Sequence, residues 1–260
     1  MKVFVISLKD AHERRAQAEA QLRTAGMPFA FFDAVTGDAG YARFFDGYDE
    51  RRYLINTGHV AGSGEIGCFA SHLALWKRCV ALGEPILILE DDFELLPHFG
   101  DVFAETERLI DRFGFIRLQH EDRSRRRQVL RAGEFVLYHY TKMEKCLMCY
   151  AITPDAAERL IGESRILTAP ADGFVARFWR HKQPLFGIAP YPVIPSDLAR
   201  GSSMILAERE GVERDTRFKS ERFLAKIGAA WSRLAFNLVN GRLADDPAID
   251  AALNESKKRF

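Results

Sequence analysis

Cysteine is scarce in this chain: Cys68, Cys79, Cys146 and Cys149 are the only four among 260 residues. They form no spaced framework of the kind that staples a small secreted domain, so reduced thiols in a cytoplasmic setting are expected. Long apolar runs are missing too. No segment approaches the roughly 20 apolar residues that span a bilayer. The apolar start Val3–Leu8 is short for a signal peptide and meets charge at once in Lys9 and Asp10. Neither sign of charge dominates, since 37 Lys and Arg face 36 Asp and Glu for a net +1, which removes the global electrostatic case for nucleic acid. A Gly-x-x-x-x-Gly-Lys phosphate loop is also lacking. What is plentiful is phenylalanine, 20 residues against 7 Tyr in a chain that is 47% hydrophobic. That composition fills the core of one large domain, or of one domain plus an appendage.

Against this ordinary background one stretch stands out, Pro85-Ile86-Leu87-Ile88-Leu89-Glu90-Asp91-Asp92. A buried strand ends in three adjacent carboxylates, which repel one another and are costly to desolvate without a cation or donors. An oxygen-rich site of this kind suits Mg²⁺ or Mn²⁺. Such a site at the carboxyl end of a strand is where open α/β folds bind nucleotides. Strand alternation sends Glu90 and Asp92 to one side and Asp91 to the other. Glu90 and Asp92 then share a nucleotide site, with the ribose or a metal-bound water on one and the metal on the other. The competing reading is an acidic strand end that caps the next turn.

The pattern along the chain predicts α/β architecture with a mostly parallel sheet. Residues 3–8 read as a strand. Asp10 reads as a helix cap with Glu13 as its capping-box partner, Gly26 ends that helix and Pro28 follows. Residues 29–33 read as a second strand, so the opening predicts parallel pairing through a right-handed crossover. Residues 36–63 look like a long irregular insertion with one short helix. A helix follows from Gly64 to Leu82, with Phe69, Leu73, Trp76 and Val80 towards the core and Gly83 as its stop. Residues 99–112 read as helix, 115–118 as strand, 120–134 as a basic polar stretch, and 135–140 and 146–152 as strands. Helices are predicted from Pro154 and from Gly173 to His181. Residues 184–205 look like Pro-rich loop, and the last 55 or so are basic and helical.

Several constellations admit two readings. On the helix Gly64-Glu65-Ile66-Gly67-Cys68-Phe69-Ala70-Ser71-His72, residues Glu65, Cys68 and His72 share one line. Ser71 and His72 are donors for a phosphate or a sugar hydroxyl, or His72 is a satisfied core histidine. Asp172, in Ala169-Pro170-Ala171-Asp172-Gly173-Phe174, is either an N-cap or a catalytic carboxylate that takes a proton from a hydroxyl. Cys146-Leu147-Met148-Cys149 has strand-like flanks and reads as a buried structural pair rather than a redox motif. Arg123-Ser124-Arg125-Arg126-Arg127, with Arg131, is a solvated loop or a site for an anionic acceptor or headgroup; it lacks the aromatics that stack bases. Phe223, Leu224, Ile227, Trp231, Leu234 and Leu238 form an apolar stripe with Lys219, Arg222, Lys226 and Arg233 around it. Such a helix lies on a membrane surface, packs on the main domain, or pairs with a second subunit in a homodimer.

Taken in order, these stretches resemble glycosyltransferase family 25, the lipopolysaccharide-type sugar transferases related to the collagen galactosyltransferases. The resemblance rests on Val3–Leu8 with Arg14-Arg15, Phe32-Asp33-Ala34-Val35, the Gly64–His72 helix, Ile88-Leu89-Glu90-Asp91-Asp92, and Cys149-Tyr150-Ala151-Ile152-Thr153 with Pro170-Ala171-Asp172. It covers about residues 1–205 and leaves 206–260 as a helical C-terminal extension. It implies a GT-A type, Rossmann-like fold, a UDP-hexose donor (galactose or glucose), a divalent metal (Mn²⁺ or Mg²⁺) and inversion at the anomeric carbon. By the same resemblance Ser7, Leu8, Arg14, Asp33 and Ala34 line the uridine pocket, and Glu65, Ser71, Glu90 and Asp91 complete the donor site. Asp92 and Glu90 hold the metal, and Asp172, with His72, does the catalysis. The implied acceptor is an oligosaccharide or glycolipid of lipopolysaccharide or another surface glycan, and the implied location is the cytoplasm or the inner face of the membrane. The chain departs from the family in having Ser7 where Asn is usual, and it matches only loosely at Pro195–Arg200 and Ser202-Ser203. His181 is the histidine nearest the place where a further metal ligand is common. The rival readings are a metal-dependent phosphoryl transferase or hydrolase built on the same acidic triplet, and a non-enzymatic membrane- or partner-docking module.

Overall fold

The computed structural model describes residues 1–39, 41–119, 124–196 and 217–240. Strand β1 (Lys2–Ser7), helix α1 (His12–Thr24) and strand β2 (Ala30–Asp33) open the chain. The helix starts later than Asp10 predicts. Ala11 N–H bonds to Leu8 O (3.1 Å) and His12 N–H to Asp10 O (2.8 Å), so a turn occupies residues 8–12. Ala11 takes the N-cap position and no side chain caps it. At the other end Gly26 adopts φ +65°, where its N–H reaches Arg23 O.

The stretch 36–63 contains two 3₁₀ turns, a two-residue strand β3 (Gly47–Tyr48) and α2 (Glu50–Thr57). Asp49 caps α2 by accepting from Arg52 N–H at 2.8 Å. Helix α3 (Ser63–Leu82) follows, then β4 (Ile86–Glu90), β5 (Phe93–Leu95), α4 (Phe99–Phe113) and β6 (Phe115–Arg117). Next come β7 (Arg125–Ala132), β8 (Phe135–Lys142), β9 (Cys149–Ile152), α5 (Pro154–Glu163) and β10 (Ile166–Leu167). Two short helices, α6 (Ala171–Val175) and α7 (Phe178–His181), stand where one was expected; β11 (Phe186–Ala189), β12 (Val193–Pro195) and α8 (Lys219–Asn240) complete the described chain.

Eight strands form one sheet in the order β2-β1-β4-β9-β6-β11-β8-β7. The expected parallel pairing holds for β2-β1-β4 and for β6-β11. The pairings of β9 with β4 and β6, of β8 with β11 and of β7 with β8 are antiparallel, so the sheet is mixed rather than mostly parallel. Strands β3, β7, β11 and β12 all lie in stretches that read as loop or polar segment. β7 is an edge strand whose arginines stay exposed, so its periodicity carries no apolar signal. β11 lies inside what reads as Pro-rich loop, because its four residues fall just before Pro190 and Pro192.

The sheet separates two cores. Phe4, Ile6, Ile86 and Ile88 face α3, α5 and α6, meeting Phe69, Leu73, Trp76, Leu160 and Phe174. Val3, Val5, Leu87 and Leu89 face α1 and α4, meeting Leu22, Val102, Phe103 and Ile110. Ile86 through Leu89 are wholly buried, each worth about 1.5–3 kcal/mol relative to an exposed side chain. Helix α8 lies against α2, α7 and β8, with Phe236 buried on Phe178. The expected boundary at residues 205–206 lies outside the described residues.

Candidate active site

Three adjacent parallel strands, β2, β1 and β4, end at one edge, with Ser7 in register with Asp33 and Ile6 with Glu90. This is the carboxyl edge at which open α/β sheets place ligands. Tight backbone contacts fix it. Ala34 N–H donates to Ser7 O at 2.8 Å. Arg15 donates to Leu8 O and Ser7 O, both at 2.9 Å, and to Asp33 Oδ1 at 2.5 Å. Arg15 therefore ties the ends of β1 and β2 together. The sequence offered only its adjacency to Arg14 as a signal.

The three carboxylates separate as strand alternation predicts. Asp91 turns to the α1 side, accepting from Ser7 Oγ at 2.5 Å and from Arg14 Nη1 at 3.1 Å. Ser7 and Arg14 thus neutralise and orient Asp91. Glu90 turns to the α3 side, where His72 Nε2 lies 3.1 Å from its Oε1. Asp92 keeps a buried Oδ1 with no hydrogen-bond partner among the described residues. Burial first, then the charges of Glu90 and Asp91, push its carboxyl up to about 7, with Arg14 pulling the other way.

His72 is fully buried and its tautomer follows from its neighbours. Trp76 Nε1 can only donate, and it does so to Tyr150 Oη at 2.8 Å. The Tyr150 hydrogen then goes to His72 Nδ1, 2.9 Å away. With Nδ1 accepting, Nε2 carries the proton and donates to Glu90. Burial holds the Tyr150 hydroxyl well above its ordinary range, so it stays protonated. The chain Trp76–Tyr150–His72–Glu90 thereby orients a half-buried carboxylate from inside the core. The sequence put Trp76 on the core face of its helix and Tyr150 in a family-like stretch but gave neither a polar role, because the Trp76–Tyr150 and Tyr150–His72 bonds join α3 to β9, distant in the chain.

Other expected site residues serve the frame around this edge. Glu65 accepts from Gly62 N–H at 3.2 Å at the start of α3 and lies 3.2 Å from His59 Nε2. Ser71 Oγ donates to Gly67 O and accepts from Val35 N–H, both at 2.8 Å. That bond locks the segment after β2 onto α3. Gly67 is required there, since a Cβ would sit 2.4 Å from Val35 O. Asp172 lies in the first turn of α6, where Pro170 and not Asp172 holds the N-cap position. Its Oδ1 accepts from Gly173 N–H at 2.5 Å.

Cys68 shows how these groups converge. Burial, then the charges of Glu90, Asp172, Asp92 and Glu65, hold its thiol well above its ordinary range. Carboxylates from α3, β4, the turn after it and α6 thus all act on one point. Cys68, His72 and Glu90 bring donor atoms within 4.8 Å of one another. With Nε2–H donating to Glu90, His72 would offer a cation a lone pair on that side only in the other tautomer, in which Nδ1–H donates to Tyr150 Oη. The residue whose surroundings fit a divalent cation is Asp92, through its orphaned oxygen and hard-oxygen chemistry. His181 is committed elsewhere, with Nε2 donating to Val175 O (3.0 Å) and Nδ1 accepting from Gln183 N–H (3.3 Å). Cys146 and Cys149 are free thiols, both raised chiefly by burial, Cys146 to about 11. Arg123 and residues 197–203 lie outside the described residues.

Comparison with known proteins places the chain. Residues 1–175 match the model of glycosyltransferase family 25 (LPS biosynthesis protein), and the chain belongs to that family. A glycosyltransferase 25 family member of Aedes aegypti is 28% identical over 192 residues, covering 66% of this chain and 30% of that protein. The lipooligosaccharide biosynthesis protein lic2B of Haemophilus influenzae is 31% identical, over 42% of this chain and 40% of that one. The lacto-N-neotetraose biosynthesis glycosyltransferase LgtB of Neisseria gonorrhoeae is 35% identical, over 44% and 40%. This chain thus spans well under half the length of these relatives.

Proposed function

We propose that the chain transfers a hexose, galactose or glucose, from a UDP-sugar to a saccharide acceptor, with inversion, on a GT-A type scaffold. The observation that carries this reading is Asp92, a half-buried carboxylate just past the carboxyl end of β4, whose buried Oδ1 has no hydrogen-bond partner among the described residues. A divalent cation at Asp92 would supply charge neutralisation for the departing diphosphate. Ser7, Leu8, Arg14, Asp33 and Ala34 border the place for uridine, and His72 holds Glu90 towards the ribose side. Asp172 takes the proton of the acceptor hydroxyl while that oxygen bonds to the anomeric carbon. The bond from that carbon to the β-phosphate oxygen breaks, and UDP leaves with the electron pair. The names of the relatives support an oligosaccharide or glycolipid acceptor in lipopolysaccharide or lipooligosaccharide synthesis.

Two measurements test this. A melting screen against UDP-galactose, UDP-glucose and UDP-N-acetylglucosamine, each with and without Mn²⁺, should show stabilisation by at least one hexose donor, greater with metal, at about 3 kcal/mol near 100-fold saturation. Asp172→Asn should cut turnover by roughly 100-fold or more while leaving donor binding intact. Near-normal turnover in that variant removes Asp172 from the mechanism. Release of inorganic phosphate without sugar transfer overturns the transferase reading.

A further inference from the structure

Helix α8 presents its apolar face to the outside. At 100° per residue, Phe223, Leu224, Ile227, Trp231, Leu234 and Leu238 fall in one arc of about 100°. All six are exposed, from 41% at Ile227 to 71% at Leu238. The opposite side of the helix holds the body of the protein. Arg222 donates to Leu54 O (3.2 Å), Arg51 to Glu221 (2.7 Å) and Asn237 to Thr141 O (2.9 Å), and Phe236 is buried on Phe178. Polar anchors fix the rotation of the helix and turn its stripe away from the core. Exposed apolar surface of this extent marks an interaction site.

The charges bordering the stripe indicate what covers it. Lys219 and Lys226 are exposed along one border, and Arg233 continues the same line. Burial and the nearby Arg125 of β7 both lower the proton affinity of Arg233, so the helix and the strand edge bring like charges together. Arg125, Arg126 and Arg127 are exposed on that edge. The only acidic residue of α8, Glu221, lies on the other border and is paired with Arg51. An antiparallel second copy would set basic border against basic border. An anionic lipid surface accommodates both features, taking the stripe into its apolar boundary and the cations at its headgroups.

We infer that α8 is a membrane-surface helix that docks the protein on anionic lipid. The inference is independent of the sugar-transfer reading, because its test involves no turnover. The 260-residue chain is sedimented with phosphatidylglycerol–phosphatidylethanolamine vesicles and with phosphatidylcholine vesicles, at low salt and at about 0.5 M NaCl. Wild type should bind the anionic vesicles, and salt should weaken that binding. Trp231→Glu should reduce the partition coefficient by about tenfold or more, and Lys219→Glu with Lys226→Glu should reduce it on anionic vesicles alone. Wild type that stays in the supernatant, or variants that bind like wild type, overturn the inference. So does a dimer in sedimentation equilibrium that Trp231→Glu dissolves without any vesicle binding, since a second copy then covers the stripe. If Trp231→Glu lowers the melting temperature, wild-type Trp231 serves instead: brominated lipid should quench its fluorescence, and absence of quenching overturns the inference.

Discussion

Asp92 enters the folded state as an acid that favours its proton. Its carboxyl titrates near 7 in the fold against an ordinary 3.8, so between those values the folded chain binds more protons than the unfolded one. Its contribution to stability is therefore full below about pH 4 and is lost as pH rises through 7. In the ligand-free protein, Asp92→Asn should raise unfolding stability at about pH 8 by roughly 2–4 kcal/mol, and the gain should shrink to nothing towards about pH 4. Urea unfolding across that range reads the effect; a variant less stable than wild type at the alkaline end refutes it. The same substitution should abolish any stabilisation by Mn²⁺. At this scale strand alternation in the sequence disclosed the side that each acid takes but not its partners. Asp91 is occupied by Ser7 and Arg14 and Glu90 by His72, while Asp92 Oδ1 has no partner among the described residues. That pairing depends on Arg14 and His72, side chains far away in the chain.

At the level of elements, α3 is the piece that joins frame and site. Its buried face carries Phe69, Leu73 and Trp76, its side chains Ser71 and His72 reach the ends of β2 and β4, and its Gly67 admits Val35 O. Gly67→Ala forces a Cβ to 2.4 Å from a backbone oxygen, and neither helix nor strand end can move without disturbing the Ser71 bond. A loss of about 1–3 kcal/mol is expected in urea unfolding; an unchanged midpoint would show that the contact relaxes freely. The extent of α3 was readable because its apolar period and Gly83 stop are local signals. The late start of α1, the break between α6 and α7, and strands β7 and β11 were not. Each is decided by a turn or a neighbouring strand rather than by the residues themselves. The arginines of β7 show this, since Arg126 stacks over Tyr138 and Tyr191 and pairs along β8 despite a loop-like composition.

Across the whole molecule, acid stability is set by histidines outside the site. Burial lowers His139 and His181 to about 4 from 6.5. Between those values the unfolded chain binds the extra protons, so their contribution is full above about pH 6.5 and is lost as pH falls through 4. Each is worth roughly 3 kcal/mol at its limit, against about 4 in the opposite sense for Asp92. The balance predicts net destabilisation of the ligand-free protein on acidification from about pH 6.5 to 4. In His181→Gln that acid slope should be shallower by about one proton per unfolding event; an identical slope would exclude the residue. The sheet that carries these groups also restricts how the chain can vary. Ile86, Ile88 and Glu90 lie on one surface of it, Leu87, Leu89 and Asp91 on the other. Gaining or losing one residue between Pro85 and Glu90 would hand each acid to the wrong neighbour and swap four aliphatics between layers. In this stretch, aliphatic side chains are interchangeable, but the count between the proline and the acids is not.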